Sequence, residues 1–533
     1  MEKVLISDKV HENCKRILEE AGVVVDYRPG LKGDELLAAL AGCSGLVVRS
    51  ATQVTAEIIE AGRDLKVIGR AGVGVDNIDV DEATRRGIAV INTPEGNTIS
   101  AAEQAIALMF ALARNIPQAH NAMKHGEWNR TAFMGTEIRG KTLGVIGLGK
   151  IGREVARRAR GLSMNVICYD PLVSSSAAES VGAQLASLET VLAKADYLTL
   201  HVPDNERTHH MINAEALAQT KKGVRIINCA RGGIIDDDAL LAALDSGHVV
   251  GAALDVFHTE PPDMDSPLIQ HDHVIVTPHL GASTTEAQQL VAEQIAELIA
   301  DALVNGNIRN AVNMFPVDRV TYERATPYVD LAEKLGALQA QIIDGHPVAL
   351  TVEYYGDALE HPTGLLTSAV LMGLMRELES GTVNLVNAPM LAQERGIRVD
   401  ELRTTGQEDY SSLITVKLTS ETESGEEQTR ALAGSVFGED SERIVRIDGY
   451  TCDLIPEGHV IIIWNKDVPG VIGEVATTLG KHNVNIAFGS FSRERPGGRA
   501  LTTYMLDSEV DEATLKHLDS LDNVLRVKYA HLR

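Results

Sequence analysis

The stretch TLGVIGLGKIGREVARRA, residues 142–159, decides how this chain is read. TLGVI is a short apolar run of strand character, and KIGREVARRA has the apolar spacing of a helix. Between them Gly147, Gly149 and Gly152 form G-x-G-x-x-G. In a dinucleotide-holding turn the first glycine permits the tight turn and the second lets backbone approach a pyrophosphate. The third lets helix and strand pack closely. The helix N-terminus adds free N–H groups and a favourable dipole for phosphate. Alone the pattern is weak, because such turns are also purely structural. Asp170 strengthens it. It ends the next strand, NVICYD, about 20 residues on, where a carboxylate accepts hydrogen bonds from ribose hydroxyls. Pro171 and Leu172 follow, with no arginine for a 2′-phosphate, so NAD is expected over NADP.

Outward from this turn, strand and helix signals alternate on both sides. KVLISD, VVVDYR, GLVVRS, LKVIGRAG and IAVINTP are interleaved with amphipathic segments. That pattern predicts a parallel sheet with helices on both faces, binding ligands outside the carboxyl ends of its strands. Those ends carry Arg49-Ser50, Gly72-Val73-Gly74 and Asn97-Thr98. One long helix is expected from Ser100 to His125. A second alternating series runs from Thr142 to Ala282, and a helix over Thr284–Asn305 returns the chain to the first lobe. The expected fold class is α/β with two doubly wound sheets. A Rossmann-type cofactor domain, 100–282, is inserted in a flavodoxin-like substrate domain, 1–99 and 283–312. An α+β unit without a chemical motif follows over 313–455, with a hairpin turn at 421–430. Residues 458–533 read βαββαβ, a ferredoxin-like sandwich.

The length of 533 residues suits three or four such units. A net charge of −25 disfavours nucleic acid and anionic membrane as partners. Five cysteines, an odd number without a C-x-x-C pair, fit a reducing cytoplasmic compartment and no metal site. MEKVLISDKV has no apolar signal region, and no window holds about 18 uninterrupted apolar residues.

Three further segments carry candidate chemistry: Arg231 in NCARGG, Glu260 in DVFHTEPP and His279 in TPHLGAS. Each follows a predicted strand of the cofactor sheet. Oxidation of a 2-hydroxy acid needs a base for the hydroxyl proton, which histidine supplies near neutral pH. It needs a carboxylate to orient that imidazole and a cation to hold the substrate carboxylate. The plainer readings are a surface histidine, a turn glutamate before Pro261-Pro262 and a capping arginine before Gly232-Gly233.

Together GLGKIG, NCARGG, DVFHTEPP and TPHLGAS resemble the D-isomer-specific 2-hydroxy acid dehydrogenase family. VVRSATQV, GRAGVGVDNID, NTPEGNT and WNRTAFMGTE resemble its long members that oxidise a phosphorylated acid. The resemblance implies NAD-dependent oxidation of D-3-phosphoglycerate, the entry to L-serine synthesis, by a cytoplasmic homotetramer. It implies His279 as acid/base, Glu260 as its partner and Arg231 as carboxylate anchor. Lys150, Ile151 and Asp170 would touch NAD, with Asp255 near the nicotinamide. Cys229, Ala230, Arg231, His279, Gly281 and Ala282 would complete that surface. Val73 and Gly74 would cradle the substrate carboxylate through their backbone, with Ser50 and Asn97 nearby. Arg49 would meet the phosphate, as would Arg130 from a neighbouring subunit. Some relatives have threonine where Val73 and Val202 stand, so any hydroxyl contact there is lost. The last unit resembles an ACT domain, an amino-acid sensor. Asn465, Asp467 and Asn485 would hold L-serine across a dimer interface, although such residues also serve plain turns. Two alternatives stay open: the same chemistry on glycerate, hydroxypyruvate or glyoxylate, and a non-catalytic NAD(H)-sensing corepressor.

Overall fold

Four-residue strands build the first sheet: β1 Lys3–Ile6, β2 Val24–Tyr27, β3 Gly45–Val48, β4 Val67–Arg70 and β5 Ala89–Asn92. All pair in parallel in the order β2-β1-β3-β4-β5. Val4, Leu5 and Ile6 are fully buried, as are Leu46, Val47 and Val48, because helices cover both faces. The computed structural model describes residues 2–532 apart from 316–318, 357–358, 360–362, 405–407, 423 and 439.

Helix Thr285–Ala300 closes one face of this sheet. Its Val291, Ile295 and Ile299 join Val4, Ile6, Val47, Val67 and Ile91 in one core. Gly69 on β4 has no room for a Cβ because Ile295 and Ile299 fill that space. Helix Thr285–Ala300 thus packs back against the first sheet.

The expected helix over Ser100–His125 is broken into Thr98–Arg114 and Ile116–Lys124. Asn115 stands between them at φ 49°, in the left-handed region asparagine tolerates. Pro117 is the cause, because a proline within a continuing helix would lack its N–H and clash with the preceding turn.

The second sheet contains β6 Thr142–Ile146, β7 Asn165–Tyr169, β8 Gln184–Leu185, β9 Tyr197–Leu200, β10 Val224–Asn228, β11 Val249–Leu254 and β12 Val274–Val276. Its order, β12-β11-β10-β9-β6-β7-β8, is wholly parallel. The direction of winding reverses between β6 and β9, which opens a crevice at their carboxyl ends. The glycine turn follows β6 directly.

The third sheet has β13 His346–Tyr355, β14 Arg398–Arg403, β15 Leu413–Glu421, β16 Glu427–Phe437, β17 Ser441–Ile447 and β18 Tyr450–Leu454. Only β13 and β14 pair in parallel. The expected hairpin is the β15–β16 connection, where Thr422 N–H donates to the Glu426 carbonyl at 3.0 Å. Its residue 423 lies outside the described residues. Sequence reading places no helix over Arg319–Ile342, yet the structure has one. It crosses helix Thr363–Leu378 backbone to backbone, since a Cβ on Gly336 or Gly373 would collide with the opposite helix.

The last sheet is antiparallel, β20-β21-β19-β22, from β19 Gly458–Lys466, β20 Ile486–Arg493, β21 Arg499–Leu506 and β22 Val524–Leu532. Strand alternation divides its side chains between two cores. Ile461 and Ile463 face helices Val471–Lys481 and Glu512–Asp519, packing on Val475, Leu479 and Leu518. Val460, Ile462, Leu501 and Ala530 point the other way and join Leu335, Leu338 and Ile342 in the core of the third unit. Among the described residues no helix is long and apolar enough to cross a membrane.

Candidate active site

The glycine turn is shaped by its surroundings. Gly147 has φ 91°, and a Cβ there would run into the His201 carbonyl and Val202. A Cβ at Gly152 would run into the Gly147 carbonyl. Gly149 differs, because nothing lies within 4 Å of where its Cβ would stand. The turn is packed on its protein side and open at Gly149, which suits a pyrophosphate. Asp170 braces it, accepting from the Leu148 N–H at 2.8 Å and the Leu172 N–H at 2.9 Å. Ile151 packs on the core beneath. Lys150 reaches over to Glu95, with Nζ 2.6 Å from Oε1.

Arg231, Glu260 and His279 come together at the carboxyl end of this sheet. Glu260 Oε2 lies 2.7 Å from His279 Nδ1. Its Oε1 accepts from the Phe257 N–H at 3.2 Å. Burial alone would raise the Glu260 carboxyl. The hydrogen bond and charge of His279, the Phe257 N–H and the Arg231 charge outweigh it, holding the carboxyl below its ordinary range. With Nδ1 engaged, Nε2 is the ring nitrogen left for chemistry. His279 sits at φ 53°, a conformation that needs outside support. Asp255 supplies it. Its backbone carbonyl accepts from the His279 N–H at 2.9 Å. Its fully buried carboxylate accepts from the Leu280 and Gly281 N–H groups, each at 2.8 Å. Asp255 therefore spends its carboxylate on the loop that carries His279. Ala282 belongs to the same loop, and its carbonyl accepts from Gln288 at 2.9 Å.

Arg231 spans the two lobes. Its guanidinium lies where a Cβ of Gly74 would stand, and its Nε is 3.0 Å from Asp76 Oδ2. Its Nη1 donates to the Ala230 carbonyl at 2.8 Å. Cys229 lies one residue further back, its thiol pushed up by burial and then by Asp255. The Val73 carbonyl accepts from Asn92 Nδ2 at 2.6 Å, so the backbone at Val73–Gly74 faces the cleft beside Arg231.

The remaining substrate-side residues fare differently. The Arg49 N–H donates to Asp8 Oδ2 at 2.6 Å, and its Nη1 to the Lys9 carbonyl at 3.2 Å. Burial pushes this guanidinium down, with Asp8 opposing. Ser50 is exposed. Contrary to expectation, Asn97 is not at a strand end: β5 stops at Asn92, and Asn97 occupies the N-cap position of helix Thr98–Arg114 without a side-chain capping bond. Its Oδ1 is buried without a hydrogen-bond partner, which leaves it free for a ligand. Arg130 is exposed on the segment after helix Ile116–Lys124. Arg70 and Asp76, which spacing alone does not single out, also stand at the carboxyl edge of the first sheet, Asp76 paired with Arg231. Both stand in the quoted GRAGVGVDNID, where the signal was a charge on each side of a glycine pair.

In the last unit, Asn465 is buried, its Oδ1 accepting from Thr502 at 3.1 Å and its Nδ2 donating to the Lys466 carbonyl at 2.8 Å. Asp467 accepts from Arg493 at 2.9 Å and from the Gly497 N–H at 3.1 Å. These hold its carboxyl low, Arg493 first. Asn485 donates to Asp507 Oδ2 at 2.6 Å.

Three family models match the chain. They are the D-isomer specific 2-hydroxyacid dehydrogenase NAD binding domain over residues 106–281, the D-3-phosphoglycerate dehydrogenase intervening domain over 324–448, and the ACT domain over 459–523. D-3-phosphoglycerate dehydrogenase of Archaeoglobus fulgidus is 43% identical over 99% of this chain and 100% of its own length. The Bacillus subtilis enzyme of that name is 41% identical over 100% of both. Among solved structures, a glyoxylate reductase from Paecilomyes thermophila covers 58% of this chain and 98% of its own, at 31% identity and a TM-score of 0.54. A D-lactate dehydrogenase from Aquifex aeolicus, complexed with NAD and lactic acid, covers 57% of this chain and 96% of its own, at 30% identity and a TM-score of 0.50. Sheet order, open glycine turn and full-length similarity agree, and the chain belongs to the D-3-phosphoglycerate dehydrogenases of the D-isomer-specific 2-hydroxyacid dehydrogenase family.

Proposed function

We propose that this chain oxidises D-3-phosphoglycerate to 3-phosphooxypyruvate with NAD, the first step of L-serine synthesis, under feedback by L-serine. The single observation that carries the chemistry is the Glu260–His279 pair, with Arg231 reaching across the cleft beside it. Gly147, Gly149, Gly152 and Asp170 would hold NAD, which when bound accepts the hydride from the hydroxyl-bearing carbon. His279 takes the hydroxyl proton at Nε2. Glu260 fixes the ring through Nδ1 and stabilises its protonated form. Arg231 fastens the substrate carboxylate, with the backbone at Val73–Gly74. Arg49 receives the phosphate, joined by Arg130 of a second copy. Exposed Trp128 and Met134 flank Arg130, which supports a homo-oligomer, a tetramer by resemblance. The full-length match to phosphoglycerate dehydrogenases favours this substrate over glycerate, hydroxypyruvate or glyoxylate. The ACT match supports an amino-acid effector, L-serine, at Asn465, Asp467 and Asn485. The test is a panel of 2-hydroxy acids, with and without L-serine, read as NAD reduction. Phosphoglycerate should lead the panel and serine should slow it. Dinucleotide binding without turnover of any acid would replace this reading with the corepressor one.

A further inference from the structure

We propose that Gln104 is a positioning residue for the catalytic base, bridging Asp255 and Thr277 and so fixing the loop that carries His279. This rests on the reading of His279 as that base. Gln104 stands on helix Thr98–Arg114, whose Ala102, Ala105, Leu108, Met109 and Leu112 are buried in the core of the cofactor lobe. Its amide therefore reaches out from a fixed platform. Nε2 lies 3.3 Å from Thr277 Oγ1 and 3.4 Å from Asp255 Oδ1. The Thr277 hydroxyl donates to the same Oδ1 at 2.5 Å, which leaves its own lone pairs to accept from the amide. Only the NH2 side of the amide fits here, with one hydrogen for each oxygen, because its carbonyl would be repelled by the carboxylate.

Thr277 and His279 belong to one short turn. The His279 N–H is shared between the Asp255 and Thr277 carbonyls, 2.9 Å from each. Gly281 is wedged between Asp255 and the helix, since a Cβ on it would stand 3.3 Å from Asp255 Oδ2 and 3.8 Å from Ala101 Cβ. Asp255 itself is fully buried and makes no ion pair among the described residues. Burial and then Asp255 push the neighbouring Cys229 thiol up, so the carboxylate charge is felt nearby. A buried carboxylate without a cation depends on its hydrogen-bond donors. Thr277, Leu280 and Gly281 donate from the turn itself and move with it. Gln104 donates from another element, so it sets where the turn sits against the helix. The same helix starts behind Asn97, and one rod thereby references both the base and a substrate-side group.

The alternative is that Gln104 only fills space beside the turn. Gln104→Leu removes the donor at nearly constant volume. Gln104→Glu puts a second acidic group beside Asp255. For each variant, kcat and the KM for D-3-phosphoglycerate are measured from about pH 6 to about pH 9. In Gln104→Leu, kcat should fall about tenfold while KM stays within about twofold, the mark of a misplaced base and not of lost binding. In Gln104→Glu, burial and the Asp255 charge raise the new carboxyl, and its neutral form restores a donor as pH falls. The kcat of Gln104→Glu relative to wild type should therefore climb toward acid, which space filling does not produce. A kcat for Gln104→Leu within about twofold of wild type, or a Gln104→Glu ratio that is flat or falls toward acid, overturns the assignment of Gln104 alone. Full activity in His279→Ala overturns the base reading and Gln104 with it.

Discussion

The crevice between the first two sheets and the candidate effector residues of the last sheet spend their polar atoms in opposite ways. In the crevice several groups are held in place yet keep capacity for a ligand. Gly149 is open, Asn97 Oδ1 and Arg70 Nε lack partners, and the His279 ring is held at Nδ1 with Nε2 left for a ligand. In the last unit Asn465, Asp467 and Asn485 are each bonded within the chain, to Thr502, Arg493 and Asp507. A preorganised site gains most from a ligand at the reacting atoms. A site whose groups already satisfy one another gains less, because binding exchanges one hydrogen bond for another. The crevice thus keeps ligand capacity within one chain, whereas the candidate effector residues already satisfy their polar atoms within the chain.

The largest effect that would sharpen this contrast is expected at Arg231. Arg231→Ala removes the cross-cleft cation and should lower kcat/KM by about a hundredfold to a thousandfold, read by steady-state NAD reduction. A loss below about tenfold would mean the crevice is less preorganised than its geometry implies. A smaller change is expected at Asn485. Asn485→Ala should raise the L-serine concentration for half-inhibition by about tenfold at most, the worth of one exchanged hydrogen bond. A much larger shift would break the comparison, placing the effector site in the preorganised class.

The smallest effect concerns Glu260 and pH. Its folded carboxyl lies below its ordinary value of 4.5, so its ionised form is favoured by folding. That contribution is fully present above the unfolded value and is lost as pH falls through the lower folded one. Wild type should therefore melt slightly above Glu260→Gln near neutral pH, with the gap closing as pH falls below 4.5. Calorimetry across that range checks it. A gap that widens toward acid would reverse the sign.

Much of this molecule is legible in the sequence because local pattern and tertiary role coincide there. The glycine turn, Asp170 and the strand-end trio stand directly after apolar runs buried on both faces of a parallel sheet. Helix Arg319–Ile342 was not legible, because it carries Pro327 and a weakly segregated pattern. Its place is set by contact with helix Thr363–Leu378 through Gly336 and Gly373, a tertiary fact. The break at Asn115 was marked by Pro117 but outweighed by the apolar run ALMFALA. Arg70 and Asp76 were missed for a related reason. Their meaning depends on which charges the fold brings near them, and spacing within GRAGVGVDNID does not state that. The apolar face joining the third and fourth units was equally hidden, since strand alternation shows that two faces are buried but not against what.

The central claim is that His279, held by Glu260, performs the proton transfer in an NAD-dependent oxidation of D-3-phosphoglycerate. Its most direct test is kcat for NAD reduction with that substrate at saturating concentrations, wild type against His279→Ala. The account predicts turnover by wild type and a fall of about a hundredfold to ten-thousandfold in the variant. Full activity in His279→Ala would contradict it.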